Sequence, residues 1–443
     1  MSEESVYERI EQLFEEICNE KIREASRKKD DTGSWTRDRN MPLRDILRCI
    51  LGKKGLSAVM ELRQYYRAAE KEGQTVSKQD YLQQRQKLNP EVFKLLNTGY
   101  LRGFYSGAEA QEWRGYLVMA VDGSRAEIPN SAENRKTYGE SENQHGKGVA
   151  RANISVLHDV FNRFILDVGI HKYTDSEIEE AKAHIVALKG IAGERPALIM
   201  FDRNYASLEF ADFLEKSGVK YLIRLRKGNY AAEQAGMKSG DEEVELACTN
   251  HRLRHLKKES PERAAEVGRR QSIRLRIVKA VFDSGEQAAF MTNLREGSAG
   301  DIQRLYRKRW SIEQKYHTLK NKLKFESVTG KASVYVKQDF WAQMTVFNIV
   351  QDLITAAERR AVKRAKEKPL KYEVRINENI AIGLFKEKFI KLTIEDDALK
   401  KTEMYNWLIA DMEKHIVPVR TLKGAPHKWT TFNKYKCNLK PSF

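Results

Sequence analysis

The apolar positions change period twice along the chain. Over residues 1–112 they recur at three- and four-residue steps, the spacing of amphipathic helices. Residues 6–18 read as one such helix, with Ser5 placed to cap it. Helices over 43–51 and 56–70 follow around Gly52 and Gly55, and a polar loop over 28–41 precedes them. Ser77 with Asp80 forms a capping-box-like start, Asn89-Pro90 breaks the helix, and residues 91–105 resume it. At Tyr116 the helical spacing stops. Residues 116–121 are a continuous apolar run, the mark of a fully buried strand, and Asp122-Gly-Ser follows as a turn. Residues 123–149 are polar and read as an ordered loop or hairpin. Strands are predicted over 154–159 and 161–170, with Phe161-Asn-Arg near the turn between them. A helix over 175–189, capped by Thr174 or Asp175, comes next. Pro196 introduces a second buried strand, 197–201, which ends at Asp202. Ser207 starts a helix to about residue 216, and 220–225 is a further strand. This order describes an α/β sheet of mixed direction.

Residues 227–296 read as an insertion with strands over 244–248, 271–282 and 288–294. Ser298 and Asp301 open a helix that runs from about Ala299 to just before Gly330. The helical period then returns. Residues 334–365 carry Phe340, Trp341, Met344, Phe347, Val350, Leu353 and Ile354, a stripe that suits either a core or an interface. Pro369 breaks that helix, and pieces over 376–390, 399–408 and 409–415 follow. The tail from Pro418 mixes Arg420, Lys423, Lys428, Lys434, Lys436 and Lys440 with Trp429, Phe432 and Tyr435.

Composition narrows the class. The chain has 443 residues, 41% of them apolar, and a formal net charge of +17. That is enough apolar content for a real core. No run approaches the roughly 18 apolar residues of a membrane span. The N-terminus is acidic and amphipathic and lacks the basic start and apolar block of a signal peptide, so a cytoplasmic protein is expected. Cys18, Cys49, Cys248 and Cys437 are far apart and form no C-x-x-C pair, which argues against zinc knuckles and a disulfide framework. The basic excess points to a polyanion, most often nucleic acid.

The helix over 305–325 carries the pattern that matters most. Tyr306, Arg309, Glu313 and Lys320 are three, four and seven residues apart, within roughly 60° of one another on a helical wheel. Leu305, Ile312, Tyr316, Leu319 and Leu323 form an apolar stripe beside them, and Trp310 is expected to face the core. Taken alone, such a helix is a surface helix laced with i,i+4 pairs, of which Arg309 and Glu313 are one. Its setting changes the reading. Asp122 and Asp202 each follow a buried strand of one sheet, and ligand sites in open α/β sheets gather at strand carboxyl ends. Three carboxylates brought together repel one another unless cations bind, and oxygen ligands without His or Cys favour Mg²⁺ or Mn²⁺.

The spacing Tyr306, Arg309, Glu313, Lys320 is the Y-x2-R-x3-E-x6-K signature. With VDGS around Asp122, DRNY around Asp202 and Met291-Thr-Asn-Leu294 ahead of the signature helix, the chain resembles the DDE transposases of bacterial insertion sequences, in the subgroup that bears this signature. The resemblance implies an RNase H-like catalytic core over 113–226 and 297–330, with a β-rich insertion over 227–296. A helical N-terminal region over 1–112 would bind DNA, and a helical C-terminal region with a basic tail would span 331–443. It implies two Mg²⁺ ions, replaceable by Mn²⁺, held by Asp122, Asp202 and Glu313. Tyr306, Arg309 and Lys320 would hold DNA phosphates. The expected partners are double-stranded DNA, as transposon ends and target, and a second copy of the chain on paired ends. The expected chemistry is phosphodiester hydrolysis followed by transesterification. A hairpin step would need a stacking aromatic in the insertion; Phe282 and Phe290 are the late candidates, and either suits the core. The alternatives are a catalytically silent DNA-binding derivative and a metal-dependent, structure-selective nuclease.

Overall fold

The computed structural model describes residues 3–38, 41–74, 76–142, 148–282, 285–367 and 372–419. The basic aromatic tail from Arg420 onward, Cys437 included, lies outside the described residues. The chain divides into two compact units. One holds Met1–Glu109, Ala126–Ala152 and Tyr316–Phe443; the other holds Ala110–Arg125 and Asn153–Lys315.

Nine strands matter to the site: β1 (Leu117–Glu127), β2 (Glu140–Glu142), β3 (Gly148–Asp159), β4 (Ile165–Lys172), β5 (Ala197–Phe201), β6 (Lys220–Arg224), β7 (Asp241–Ala247), β8 (Ser272–Val281) and β9 (Gln287–Thr292). Eight of them, all but β2, run β4–β3–β1–β5–β6–β9–β8–β7. Strands β1, β5 and β6 are parallel, with Leu117 opposite Ala197 and Leu198 opposite Lys220. Leu117 to Val121 and Ala197 to Phe201 are buried throughout, as parallel strands covered on both faces must be. The crossover from β4 to β5 is the helix Glu177–Ala192, and that from β5 to β6 is the helix Leu208–Lys216. The three strands in 227–296 do not form a separate sheet. Strand β9 pairs antiparallel with β6, and β8 and β7 continue outward from it. The basic stretch between β7 and β8 forms the helices Arg254–Glu259 and Pro261–Arg269.

The first unit is helical and is built around the helix Ser333–Glu367. The stripe predicted over 334–365 is core: Phe340, Met344, Phe347, Val350, Leu353 and Ile354 are at most 2% exposed. Polar residues of the same helix are buried with it and find specific partners. Asp339 accepts from Arg85 at 2.7 Å and Lys53 at 2.9 Å. Asp352 accepts from Arg9 and from the Tyr100 hydroxyl, both at 2.8 Å. Buried charges persist only when paired in this way. No helix among the described residues is long and apolar enough to cross a membrane.

Several local expectations are corrected. Asp122-Gly-Ser is not a turn, because β1 continues to Glu127; pairing in the sheet overrides a local turn preference. Residues 123–149 are not a loop or simple hairpin, since Ala132–Tyr138 is a helix. Ser5 does not cap the first helix, which starts at Glu3; its hydroxyl donates to Glu109 at 2.8 Å. Ser176, not Thr174 or Asp175, precedes the helix Glu177–Ala192. The two pieces over 399–415 are one helix, Ala398–Lys414. The predicted helix over 299–330 is interrupted. It comprises Ala299–Arg307, a 3₁₀ turn Lys308–Trp310, the helix Ser311–His317 and a π turn Thr318–Lys322.

Candidate active site

Asp122 and Asp202 are brought together by the sheet register. Ala120 lies opposite Met200 in the parallel β1–β5 pair, and two further residues along each strand lead to Asp122 and Asp202. Asp202 also does what an aspartate after a strand does locally: its side chain accepts from the Asn204 N–H at 2.7 Å and starts the 3₁₀ turn Arg203–Tyr205.

The helix after Ser298 closes on these strand ends. Ser298 and Asp301 form a full capping box. Ile302 and Leu305 are buried, and Gln303 donates to the Val281 carbonyl at 2.7 Å. Tyr306 is buried, its ring 4.7 Å from that of Phe290, and its hydroxyl donates to the Phe201 carbonyl at 3.3 Å, one residue before Asp202. Arg309 turns into the site. One nitrogen donates to Glu313 at 3.1 Å and the other stands 3.8 Å from Asp122. The 3₁₀ turn tightens the winding at Lys308–Trp310. It leaves Trp310 61% exposed, so the core-facing expectation for that residue is corrected. Asp122, Asp202, Tyr306, Arg309 and Glu313 thus share one unit. Lys320 belongs to the other, on the π turn, where burial pulls its pKa down against the charges of Glu326 and Glu127.

Electrostatics bind the group. Burial, with smaller contributions from Asp202 and Glu313, raises the Asp122 pKa to about 6 despite the opposing Arg309 charge. Arg309 stays charged, because Tyr306 and the three carboxylates outweigh its own burial. The donor set is all oxygen, and its charge is only partly offset by one guanidinium. Both features fit a hard divalent cation. The carboxylates are spaced around Arg309 rather than closed on a point. Among the described residues only His171, Asp175 and Glu180, at the end of β4 and the helix after it, bring three such ligand atoms within 4.8 Å of one another.

Other functional-looking residues escaped the sequence reading. Arg203, Arg224, Arg226, Lys227 and Lys279 line a cleft of about 820 Å³ in the sheet unit. Phe282 lies on the same part of the insertion, with the guanidinium groups of Arg224 and Arg307 over its ring at 5.7 and 5.6 Å. Phe290 is fully buried. Phe282 and Phe290 were the stacking candidates of the sequence, and of the cleft's basic residues only Arg203, inside DRNY, carried a sequence signal. The helical unit has a larger cavity, about 1020 Å³, between Glu8, Glu11 and Glu15 and the Arg359, Arg360 and Lys363 wall. Its opposed charges balance one another and converge on no reacting point.

Residues 113–349, more than half of the chain, match the family model described as Transposase DDE domain. The chain is also 23% identical over 341 residues to the transposase InsG for insertion sequence element IS4 of Escherichia coli (strain K12), covering 74% of each chain. Among solved structures it is similar to the piggyBac transposase in a synaptic complex with hairpin DNA, with a TM-score of 0.43 and 9% identity over 95% of this chain and 87% of that one. The matched segment takes in both strand-borne aspartates and the helix bearing Glu313, and on that match the chain belongs to the family of transposases with a DDE domain.

Proposed function

We propose that the protein is a DNA transposase that cuts at transposon ends and joins them to target DNA, with Asp122, Asp202 and Glu313 as the carboxylates that hold two divalent cations. The observation that carries this is the parallel β1–β5 register, which sets two aspartates side by side while Arg309 ties one of them to Glu313. The strand order β4–β3–β1–β5–β6, with helices between β4, β5 and β6, supports an RNase H-like core extended by the strands of 227–296.

Bound by these carboxylates, Mg²⁺ or Mn²⁺ would supply charge stabilisation at the phosphodiester oxygens and a more acidic water. The chain's own residues do the rest. Asp122 must be deprotonated to serve, which a cation would favour against burial. Arg309 is placed to exchange its carboxylate partners for a DNA phosphate, a charge-assisted contact that its planar fork suits. Tyr306, buried and bonded to Phe201, supports Asp202 by holding the end of β5. Lys320 would bind a phosphate, the helical region over 1–112 would contact DNA, and a second copy of the chain would hold the paired end. The 3′-hydroxyl released by cleavage would then attack a second phosphodiester, so no covalent bond to the protein is required.

The test is strand cleavage in Mg²⁺ by full-length protein, on duplexes taken from the DNA flanking its gene. Asp122→Asn, Asp202→Asn and Glu313→Gln should each lower cleavage by about 10³-fold or more while DNA binding is kept. Cleavage at the wild-type rate by any one of them removes that residue from the site. Binding without cleavage by the wild type would favour a silent DNA-binding derivative.

A further inference from the structure

Glu177 stands at this site as a fourth carboxylate. It opens the helix Glu177–Ala192. A Cβ built on Gly123 would lie 3.1 Å from Glu177 Oε1 and 3.4 Å from its Cδ. The carboxylate therefore rests over a bare backbone position next to Asp122, one that any side chain would crowd. Burial, then the charge of Asp202, raise the Glu177 pKa against the attraction of Arg125.

Tyr205 gives a second, independent observation. It is 1% exposed, and its hydroxyl has no hydrogen-bond partner among the described residues. Burial, and then the charges of Glu177, Asp122 and Asp202, push its pKa up against the attraction of Arg309. Buried polar groups are satisfied in folded proteins, so a lone hydroxyl among three carboxylates points to a ligand that they share.

We propose that Glu177 is a fourth oxygen donor of the divalent-cation site, on the Asp202 side, with the Tyr205 hydroxyl hydrogen-bonded to the ligands that Glu177 shares with Asp122 and Asp202. The inference rests on the metal-holding role given above to Asp122 and Asp202. Glu177 comes from the crossover helix after β4, so the cation would be gripped from an element outside the strand ends and the signature helix.

Mn²⁺ binding to the full-length protein tests this without recourse to activity. Titrations followed by the paramagnetic signal of free Mn²⁺ would compare wild type with Glu177→Gln, Glu177→Asp, Tyr205→Phe, Asp122→Asn and Asp202→Asn. Glu177→Gln should weaken one of the two bound ions by about tenfold or more. Glu177→Asp, which keeps the charge, should fall between it and wild type, and Tyr205→Phe should weaken the same ion. If Glu177→Gln bound as wild type while Asp122→Asn and Asp202→Asn lost Mn²⁺, Glu177 would be no ligand and the metal-holding role of the aspartates would stand. If both Asn variants also bound as wild type, that role would fail and this inference with it. Should Glu177→Gln not fold, wild-type binding by both Glu177→Asp and Tyr205→Phe would overturn the proposal.

Discussion

Arg309 stands 3.8 Å from the Asp122 carboxylate, yet Asp122 keeps a pKa near 6. One guanidinium, shared with Glu313 at 3.1 Å, does not offset the burial of that carboxylate beside two others.

The consequence is measurable in metal-free protein. The ordinary Asp value is 3.8, so the folded state binds the Asp122 proton more tightly than the unfolded chain does. The resulting stability is fully present below about pH 4 and is lost as pH rises through about 6. A shift of this size corresponds to about 2 kcal/mol after allowance for partial solvation. Asp122→Asn should flatten that part of the profile and make the apo protein more stable than wild type at pH 7. Urea midpoints of the two proteins between pH 4 and pH 7 check it. Parallel profiles would mean that Asp122 is not strained as an anion.

Lys320 is expected to contact one phosphate. Lys320→Ala should weaken binding to DNA of any sequence and lower the slope of log K against log salt by about 1. Filter binding or fluorescence anisotropy from 50 to 300 mM salt, roughly, measures that slope. A slope equal to that of wild type would leave Lys320 without a phosphate role.

The helical unit depends on a buried charge cluster. Burial works against the Asp339 charge, but Arg85 and Lys53 overcome it and hold the pKa below the usual carboxylate range. Its contribution is therefore present above that range and is lost as pH falls through the lowered value. Asp339→Ala would leave two cations buried without their partner and should destabilise the protein by about 3–5 kcal/mol, read from urea unfolding at pH 7. Replacing Asp339, Arg85 and Lys53 together by apolar residues should cost much less. Equal losses in the single and triple variants would show that packing rather than charge holds this helix.

Much of the site was legible because its determinants are local. Apolar runs ending in Asp122 and Asp202, and the step pattern Tyr306, Arg309, Glu313, follow from the periods of strand and helix, which any chain displays in its sequence. Ser298 and Asp301 announced their helix for the same reason. The buried stripe of the helix Ser333–Glu367 was visible too, but the pairing of Asp339 with Arg85 and Lys53 was not. Those partners are some 250 and 290 residues away, and no period links them.

Tertiary structure alone decided the rest. It carried β1 through Asp122-Gly-Ser as a strand, because a paired neighbour outweighs turn preference. It broke the signature helix at Lys308–Trp310, which turned Trp310 outward and Arg309 onto Asp122. It brought Glu177, which no motif marked, against Gly123, and it left the hydroxyl of Tyr205, the last residue of DRNY, buried without a partner among the described residues. The three carboxylates of the candidate site could be read from the chain one element at a time. Their electrostatic coupling, and the fourth carboxylate beside them, exist only where separate elements meet, and the sequence carries no local signal for that.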